Sequence, residues 1–378
     1  MATAWILHEI GDIRLENIKV KEPADNAVIV KVRASGICGS DIDRIYKRGA
    51  HKMPLVPGHE FAGVVESVGD SVDKSLIGKP VGVFPLIPCG KCEFCKKKKY
   101  QLCTNYNYIG SRCDGGFAEL VEVPVNNLQI LESNIDFCEA AMLEPMAVAV
   151  HAMRLATNDC TIDKDSIIAV CGLGTIGLSL VMFLIEAGYT NIIAIGKREG
   201  QCKRAVSLGV SKENYCDCRS KDLLEEIANV SKRLKDNELN KDIGKKSGDI
   251  LSNENVSGPD IFFDCVGGDT CIRIGINSII PGGKICLVGN PLSNVNFIQE
   301  DFGKILRKEL LIIGSWNSSF THKEDDDWSY VLKRLENKSI DPSKLITHRL
   351  KLSGLTVGLD IMRDKDRDSC KVMLEMRE

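Results

Sequence analysis

Charge of a single sign is what this sequence most clearly lacks. Its 378 residues hold 49 Lys and Arg against 52 Asp and Glu, a formal net charge of −3, so no overall field gathers nucleic acid or an anionic membrane surface. Aromatic residues make up only 6% and are not interleaved with a basic stripe, which removes the usual signature of nucleic-acid binding. The opening MATAWILHEIGDIRLENIKV has no basic leader and no long apolar stretch. Neither an export signal nor a membrane anchor is expected, and a cytoplasmic location follows. Cysteine, in contrast, is plentiful at 16. In a long chain without an export signal, such thiols read as metal ligands or small buried residues rather than a disulfide framework.

The length exceeds what one hydrophobic core usually serves, so two domains are expected. Residues 1–146 contain short strand-like runs broken by Gly and Pro, such as NAVIVKVRASG and FAGVVESVG, and read as a mostly-β domain. Over 147–317 the character changes to buried-looking strands, SIIAVCG, NIIAIG, IFFDCVG, KICLVG and LLIIGSW, several of them separated by helical lengths of chain. That alternation predicts a doubly wound parallel sheet, an α/β fold. The polar stretch 232–258, KRLKDNELNKDIGKKSGDILSNENVSG, reads as a surface insertion. After Trp316, DDDWSYVLKRLENK has helical periodicity, and residues 318–378 are expected to return to the first domain.

AVCGLGTIGLSLVMFLIEAG places Gly172, Gly174 and Gly177 in a G-x-G-x-x-G pattern after a β-branched run and before an apolar helix. The first glycine suits a tight turn, the second lets backbone approach a pyrophosphate, and the third allows helix and strand to pack closely. Thr175 and Ile176 lie at the helix start, whose unpaired N–H groups favour phosphate. Cys265, Val266 and Gly289, at the ends of later strands, join them as expected cofactor contacts. A second strand in such a sheet normally ends in an acid that binds ribose hydroxyls. Here NIIAIGKRE ends on Gly196, followed by Lys197 and Arg198, a pairing suited to a 2′-phosphate. NADP(H) is therefore expected over NAD(H).

CGKCEFCKKKKYQLC spaces Cys89, Cys92, Cys95 and Cys103 so that four thiolates can close around Zn²⁺ with no open position, a structural site. An iron–sulfur cluster is the chemical rival, though no electron-transfer architecture adjoins it. Cys38 in SGICGSDI, His59 and Glu60 in PGHEFAG, and Glu144 in AMLEPMAVAVHA offer a dispersed thiolate, imidazole and carboxylates that could leave a coordination position for substrate. Spacing alone does not join them.

GICGSD, GHEFAGVVESVG, the four-cysteine lobe, LEPMAVAVHA and GLGTIG, in that order, resemble the zinc-dependent medium-chain dehydrogenases/reductases. RIYKRGAH, IGSRCDGGFAE and FGKILRKELLIIGSW are most similar to the polyol branch, in particular to its polyol-phosphate dehydrogenases. The resemblance implies a groES-like catalytic domain with a structural zinc lobe at about 86–106, a six-stranded Rossmann domain, and a homodimer or homotetramer. It also implies two zinc ions per chain. Cys38, His59 and Glu144 become ligands of a catalytic zinc, Glu60 an alternating or neighbouring carboxylate, and Ser40 a proton-relay hydroxyl. By that resemblance the polyol branch keeps an acid where Gly196 stands and uses NAD, whereas glycine followed by a cation resembles the NADP-dependent alcohol dehydrogenases.

The implied reaction is hydride transfer between a nicotinamide cofactor and a polyol phosphate or keto-sugar phosphate. Ribitol 5-phosphate, sorbitol or L-iditol, and a secondary alcohol are the alternative substrates, and a non-catalytic nucleotide-binding protein is the alternative class. A substrate phosphate needs cations. Arg112, then Lys47 and Arg48, and the run Lys304, Arg307 and Lys308 are the candidates.

Overall fold

The computed structural model describes residues 1–132, 134–158, 161–242, 257–364 and 366–376. The chain divides into two compact units, Met1–Val148 with Asn317–Glu378, and Ala149–Trp316.

The first unit is built on a sheet of seven strands. Its continuous path runs Ile346–Lys351, Lys371–Glu375, Ala27–Ile37, Glu60–Val68, Pro80–Val83 and Leu128–Ile130, and Leu120–Pro124 pairs with Ala27–Ile37. Ala27–Ile37 is rich in β-branched residues and buried along almost its whole length. Val28, Val30 and Val32 meet Phe61, Val65, Val81 and Phe117 in one core, so this strand is the spine of the unit. Residues 371–375 pair with that spine, which is where the C-terminal segment packs. The expected helix after Trp316 spans Asp327–Glu336, started by Asp326, whose side chain accepts from the Ser329 amide at 2.8 Å.

The second unit carries six parallel strands in the spatial order Tyr215–Asp217, Ile192–Gly196, Ile168–Cys171, Ile261–Asp264, Lys284–Leu287 and Leu311–Gly314. In sequence terms this is 3-2-1-4-5-6, the doubly wound dinucleotide-binding order. The short third strand, Tyr-Cys-Asp, was not among the runs legible by hydropathy. The polar stretch begins inside a helix, Leu223–Asp242, whose Leu223, Ile227, Val230 and Leu234 recur at helical spacing and are buried. Residues 243–256 of that stretch lie outside the described residues.

Candidate functional site

In the first unit, the sulfurs of Cys89, Cys92, Cys95 and Cys103 all lie within 4.8 Å of one another. The Cys89–Cys95 and Cys92–Cys103 pairs are each 3.9 Å apart, far too long for disulfides. Four sulfurs at Zn–S bonds of about 2.3 Å would stand about 3.8 Å apart, so the donor set fits a closed tetrahedral zinc. Backbone donors at Thr104 and Cys95 pull the Cys92 thiol down to about 5, while burial pushes Cys95 up to about 12.

The second cluster forms where the spine strand ends. Cys38 starts the short helix Gly39–Asp43, and Gly36 is paired with Glu60 at the head of the strand Glu60–Val68. A Cβ on Gly36 would run into the Glu60 carboxylate, so any larger residue there would displace that carboxylate. The ligating atoms of Cys38, His59 and Glu60 gather within 4.8 Å. Glu144, the carboxylate expected beside Cys38 and His59, is not in that group; its Oε1 accepts from the Tyr108 hydroxyl at 3.2 Å. It remains close enough for the charges of His59 and Glu60 to act on it. Burial pushes its carboxyl up to about 7, with Glu60 adding to the rise and His59 opposing it.

Two residues that the sequence did not single out organise the cluster. Asp41 is fully buried; its Oδ2 accepts from the Cys38 amide at 3.0 Å, and its Oδ1 faces His59 Nδ1 at 3.4 Å. Burial alone would lower the His59 pKa, but the Asp41 charge and Cys38 outweigh it and hold the imidazole well above its usual value. With Nδ1 facing a carboxylate, the other ring nitrogen is the one left for a metal. Lys371 forms a buried ion pair with Glu60 and also donates to the Ile37 carbonyl at 3.3 Å. A thiolate, an imidazole and a carboxylate, backed by these partners, fit zinc. The position of Asp41, three residues past Cys38 in a capping-box arrangement, was a readable signal; a lysine inside CKVMLE gave none. Ser40 lies exposed on the helix that follows Cys38.

In the second unit, Gly174 precedes the helix Thr175–Glu186, with Thr175 and Ile176 in its first turn. The glycines divide by role. Gly172 has φ +95° and packs against Val266, and a Cβ on Gly177 would strike the Gly172 carbonyl. A Cβ on Gly174 would meet nothing within 4 Å, so the chain itself does not demand glycine there, and the open space is suited to a ligand. Cys265 donates its amide to the Cys171 carbonyl at 2.9 Å, and Asp264 accepts from the amides of Val266 and Gly267 at 2.9 and 2.8 Å. Gly289 packs against Val266 and Gly267, so these expected contacts share the carboxyl ends of adjacent strands.

At Gly196 the surroundings are fuller than a cleared phosphate pocket. Gln201 Oε1 accepts from the amides of Lys197 and Arg198 at 2.9 and 3.2 Å. A Cβ on Gly196 would stand 3.0 Å from that oxygen, from Leu173 Cδ1 and from the Tyr215 hydroxyl. Lys197 is exposed and Arg198 half-buried.

Most of the phosphate candidates are occupied by contacts of the fold. Arg112 donates to the Tyr106 carbonyl at 2.9 Å and lies 4.4 Å over that ring. Arg48 pairs with Asp43 at 3.0 Å, Lys304 with Glu300 and Asn277, and Lys308 caps the carbonyls of Ile276 and Ile279. Arg307 packs against Gly303 in its own helix. Lys47 is exposed.

Residues 24–133 match the alcohol dehydrogenase GroES-like domain, and residues 175–337 the zinc-binding dehydrogenase family. Galactitol 1-phosphate 5-dehydrogenase of Escherichia coli (strain K12) is 31% identical over 322 residues, 85% of each chain. Sorbitol dehydrogenase of Bacillus subtilis (strain 168) is 26% identical over 377 residues, 98% of this chain and 96% of that one. The crystal structure of galactitol-1-phosphate dehydrogenase from Escherichia coli is 28% identical and superposes with a TM-score of 0.84 over 99% of this chain and 100% of that one. A zinc-binding dehydrogenase from Sinorhizobium meliloti 1021 bound to NADP is 25% identical, with a TM-score of 0.82 over 100% and 99% of the two chains.

Proposed function

The chain belongs to the zinc-dependent medium-chain dehydrogenases, in their polyol branch, and on that footing we propose that it interconverts a polyol phosphate and a keto-sugar phosphate with NADP(H). The observation that carries the chemistry is the group of Cys38, His59 and Glu60, the last two buried, a donor set that suits zinc and has partners on its outer side. Likeness to galactitol 1-phosphate 5-dehydrogenase supports the phosphorylated substrate. Gly196 in place of an acid, with Lys197 and Arg198 after it, supports NADP(H).

Cys38, His59 and Glu60 would hold the catalytic zinc, with Glu144 beside them, and the four lobe cysteines would hold the structural one. When bound, the zinc supplies Lewis acidity that makes the substrate hydroxyl easier to deprotonate, and the nicotinamide takes up the hydride. The work of the chain is placement and proton handling. Asp41 fixes the imidazole orientation, and Lys371 balances Glu60. Ser40, exposed two residues past Cys38, is the hydroxyl through which the proton leaves. Oxidation gives one ketone, one hydride to the cofactor and one proton to Ser40 and solvent; reduction reverses each.

Gly172, Gly174, Thr175, Ile176 and Gly177 would cradle the pyrophosphate, and Lys197 and Arg198 the ribose phosphate. A homodimer or homotetramer completes this reading, supported by the outermost strand Leu311–Gly314, where Leu311 is 55% exposed. Among the described residues no helix is long and apolar enough to cross a membrane.

Initial rates with NADPH and NADH, on phosphorylated and plain keto-sugars, test cofactor and substrate together. The reading expects the NADPH and keto-sugar phosphate pair to be fastest. Equal rates with and without phosphate would remove the substrate assignment, and faster turnover with NADH the cofactor assignment.

A further inference from the structure

We propose that Arg44 is the residue by which this protein recognises the phosphate of its substrate, an inference that rests on the polyol-phosphate reading above. Arg44 directly follows the helix Gly39–Asp43 that Cys38 starts. Its Nη1 donates to Asp41 Oδ1 at 2.6 Å, and the side chain is only 14% exposed. That same carboxylate oxygen faces His59 Nδ1 at 3.4 Å, so two polar contacts connect the guanidinium to an imidazole of the candidate zinc group. Tyr108, whose ring lies 5.9 Å from that of His59, also feels the Arg44 charge. Arg44 therefore lies in the same polar cluster as Asp41, His59, Tyr108 and Glu144.

The donor count then matters. A guanidinium has five N–H donors. Among the described residues, Asp41 is the acceptor found for Arg44. None of its nitrogens is a sealed, partnerless atom, so the remaining donors reach solvent beside the cluster. A largely buried fork with donors to spare is suited to phosphate oxygens, which it can grip in pairs. The cations proposed from sequence alone offer less. Arg112 is held by Tyr106, Arg48 is exposed and paired with Asp43, and Lys47 is exposed. Lys371, the other cation of the cluster, is sealed against Glu60.

A positive group is also what this neighbourhood requires if it is to accept a phosphate. Glu60 and Glu144 lie close together, and their charges repel an anionic substrate unless offset. Lys371 offsets Glu60; a phosphate entering beside them still needs a cation of its own. Asp41 withdraws part of the Arg44 charge but also locks the side chain, so less rotamer freedom is lost on binding.

The test uses the zinc-loaded full chain and compares kcat/KM for galactitol 1-phosphate with that for galactitol, in the native protein, Arg44→Met and Arg44→Lys. The native protein is expected to favour the phosphorylated substrate. Arg44→Met is expected to lower that preference about tenfold or more, chiefly through KM, because charge-assisted hydrogen bonds to phosphate are lost. Arg44→Lys is expected to recover part of the preference.

If Arg44 served only to brace Asp41 and His59, both substrates would suffer alike and the ratio would stand, which overturns the assignment. A native protein with no preference for phosphate overturns the parent reading, and the assignment with it. Should Arg44→Met fail to fold, inorganic phosphate decides. It is expected to inhibit galactitol oxidation competitively in the native protein and more weakly in Arg44→Lys, and equal inhibition would sink the inference.

Discussion

Glu60 and Lys371, 311 positions apart in sequence, form an ion pair in which each side chain is only 2% exposed. The pair joins the carboxylate beside Cys38 and His59 to the strand Lys371–Glu375. Burial lowers the Lys371 pKa, but the charge and hydrogen bond of Glu60, together with Cys38 and Glu144, outweigh it and raise it. Lys371→Met leaves the carboxylate buried without its partner and is expected to cost about 3–5 kcal/mol. Thermal unfolding of the metal-free protein measures this; an unchanged transition would mean that Glu60 turns elsewhere.

Gly36→Ala addresses the same carboxylate from the other side. The added Cβ runs into Glu60, so the variant is expected to lose zinc from the Cys38 site while the four-cysteine lobe keeps its own. Metal analysis should fall from two zinc ions per chain toward one. Cys103→Ser is expected to give the complementary loss together with a lower melting temperature, because the lobe folds around its metal.

Gly174→Ala and Gly177→Ala are expected to separate binding from packing. Nothing lies within 4 Å of a Cβ on Gly174, and its φ of −87° suits alanine, so stability should move by no more than about 0.5 kcal/mol. Dinucleotide affinity should fall about tenfold or more, because the methyl group occupies space reserved for pyrophosphate. At Gly177 the methyl group strikes backbone, and a stability loss of about 1–3 kcal/mol is expected. Melting curves and dinucleotide titration measure the two effects independently.

For the cofactor, Gly196→Asp should move the kcat/KM ratio of NADPH to NADH toward NADH by about tenfold. The new side chain also crowds Gln201, Leu173 and Tyr215, so Lys197→Ala with Arg198→Ala provides a second variant. That double change should raise KM for NADPH well above its effect on NADH. A ratio untouched in both variants would leave these residues with no part in cofactor choice.

Glu144 provides a pH prediction. Its folded carboxyl is raised to about 7, first by burial, above an unfolded value near 4.5. Folded protein then holds the proton more tightly than unfolded protein. The stabilising contribution is therefore complete below the unfolded value and is lost as pH rises through about 7. In zinc-free protein this amounts to a decline on the order of 3 kcal/mol between those limits. Glu144→Gln is expected to flatten that decline in denaturant titrations across the range. An equally steep decline in the variant would place the titrating group elsewhere.

Spacing within a few residues already determined two features. Four cysteines in fifteen residues can meet one ion whatever the rest of the chain does, and three glycines at a strand-to-helix turn carry their geometry with them. The alternation of buried runs likewise gave the doubly wound sheet, apart from the short strand Tyr215–Asp217, which is too brief to show a pattern. Tertiary structure alone decided the partners. Which of Glu60 and Glu144 lies nearest Cys38 and His59 depends on strand register at Gly36, and Lys371 reaches Glu60 only because residues 371–375 pair with the spine of the first sheet. Arg112 reads as a phosphate ligand in sequence; the fold sets it against Tyr106. Arg44 drew no notice in the sequence; Asp41 draws it toward His59. Short-range geometry is written in spacing; burial and pairing across hundreds of residues arise only when the sheets assemble.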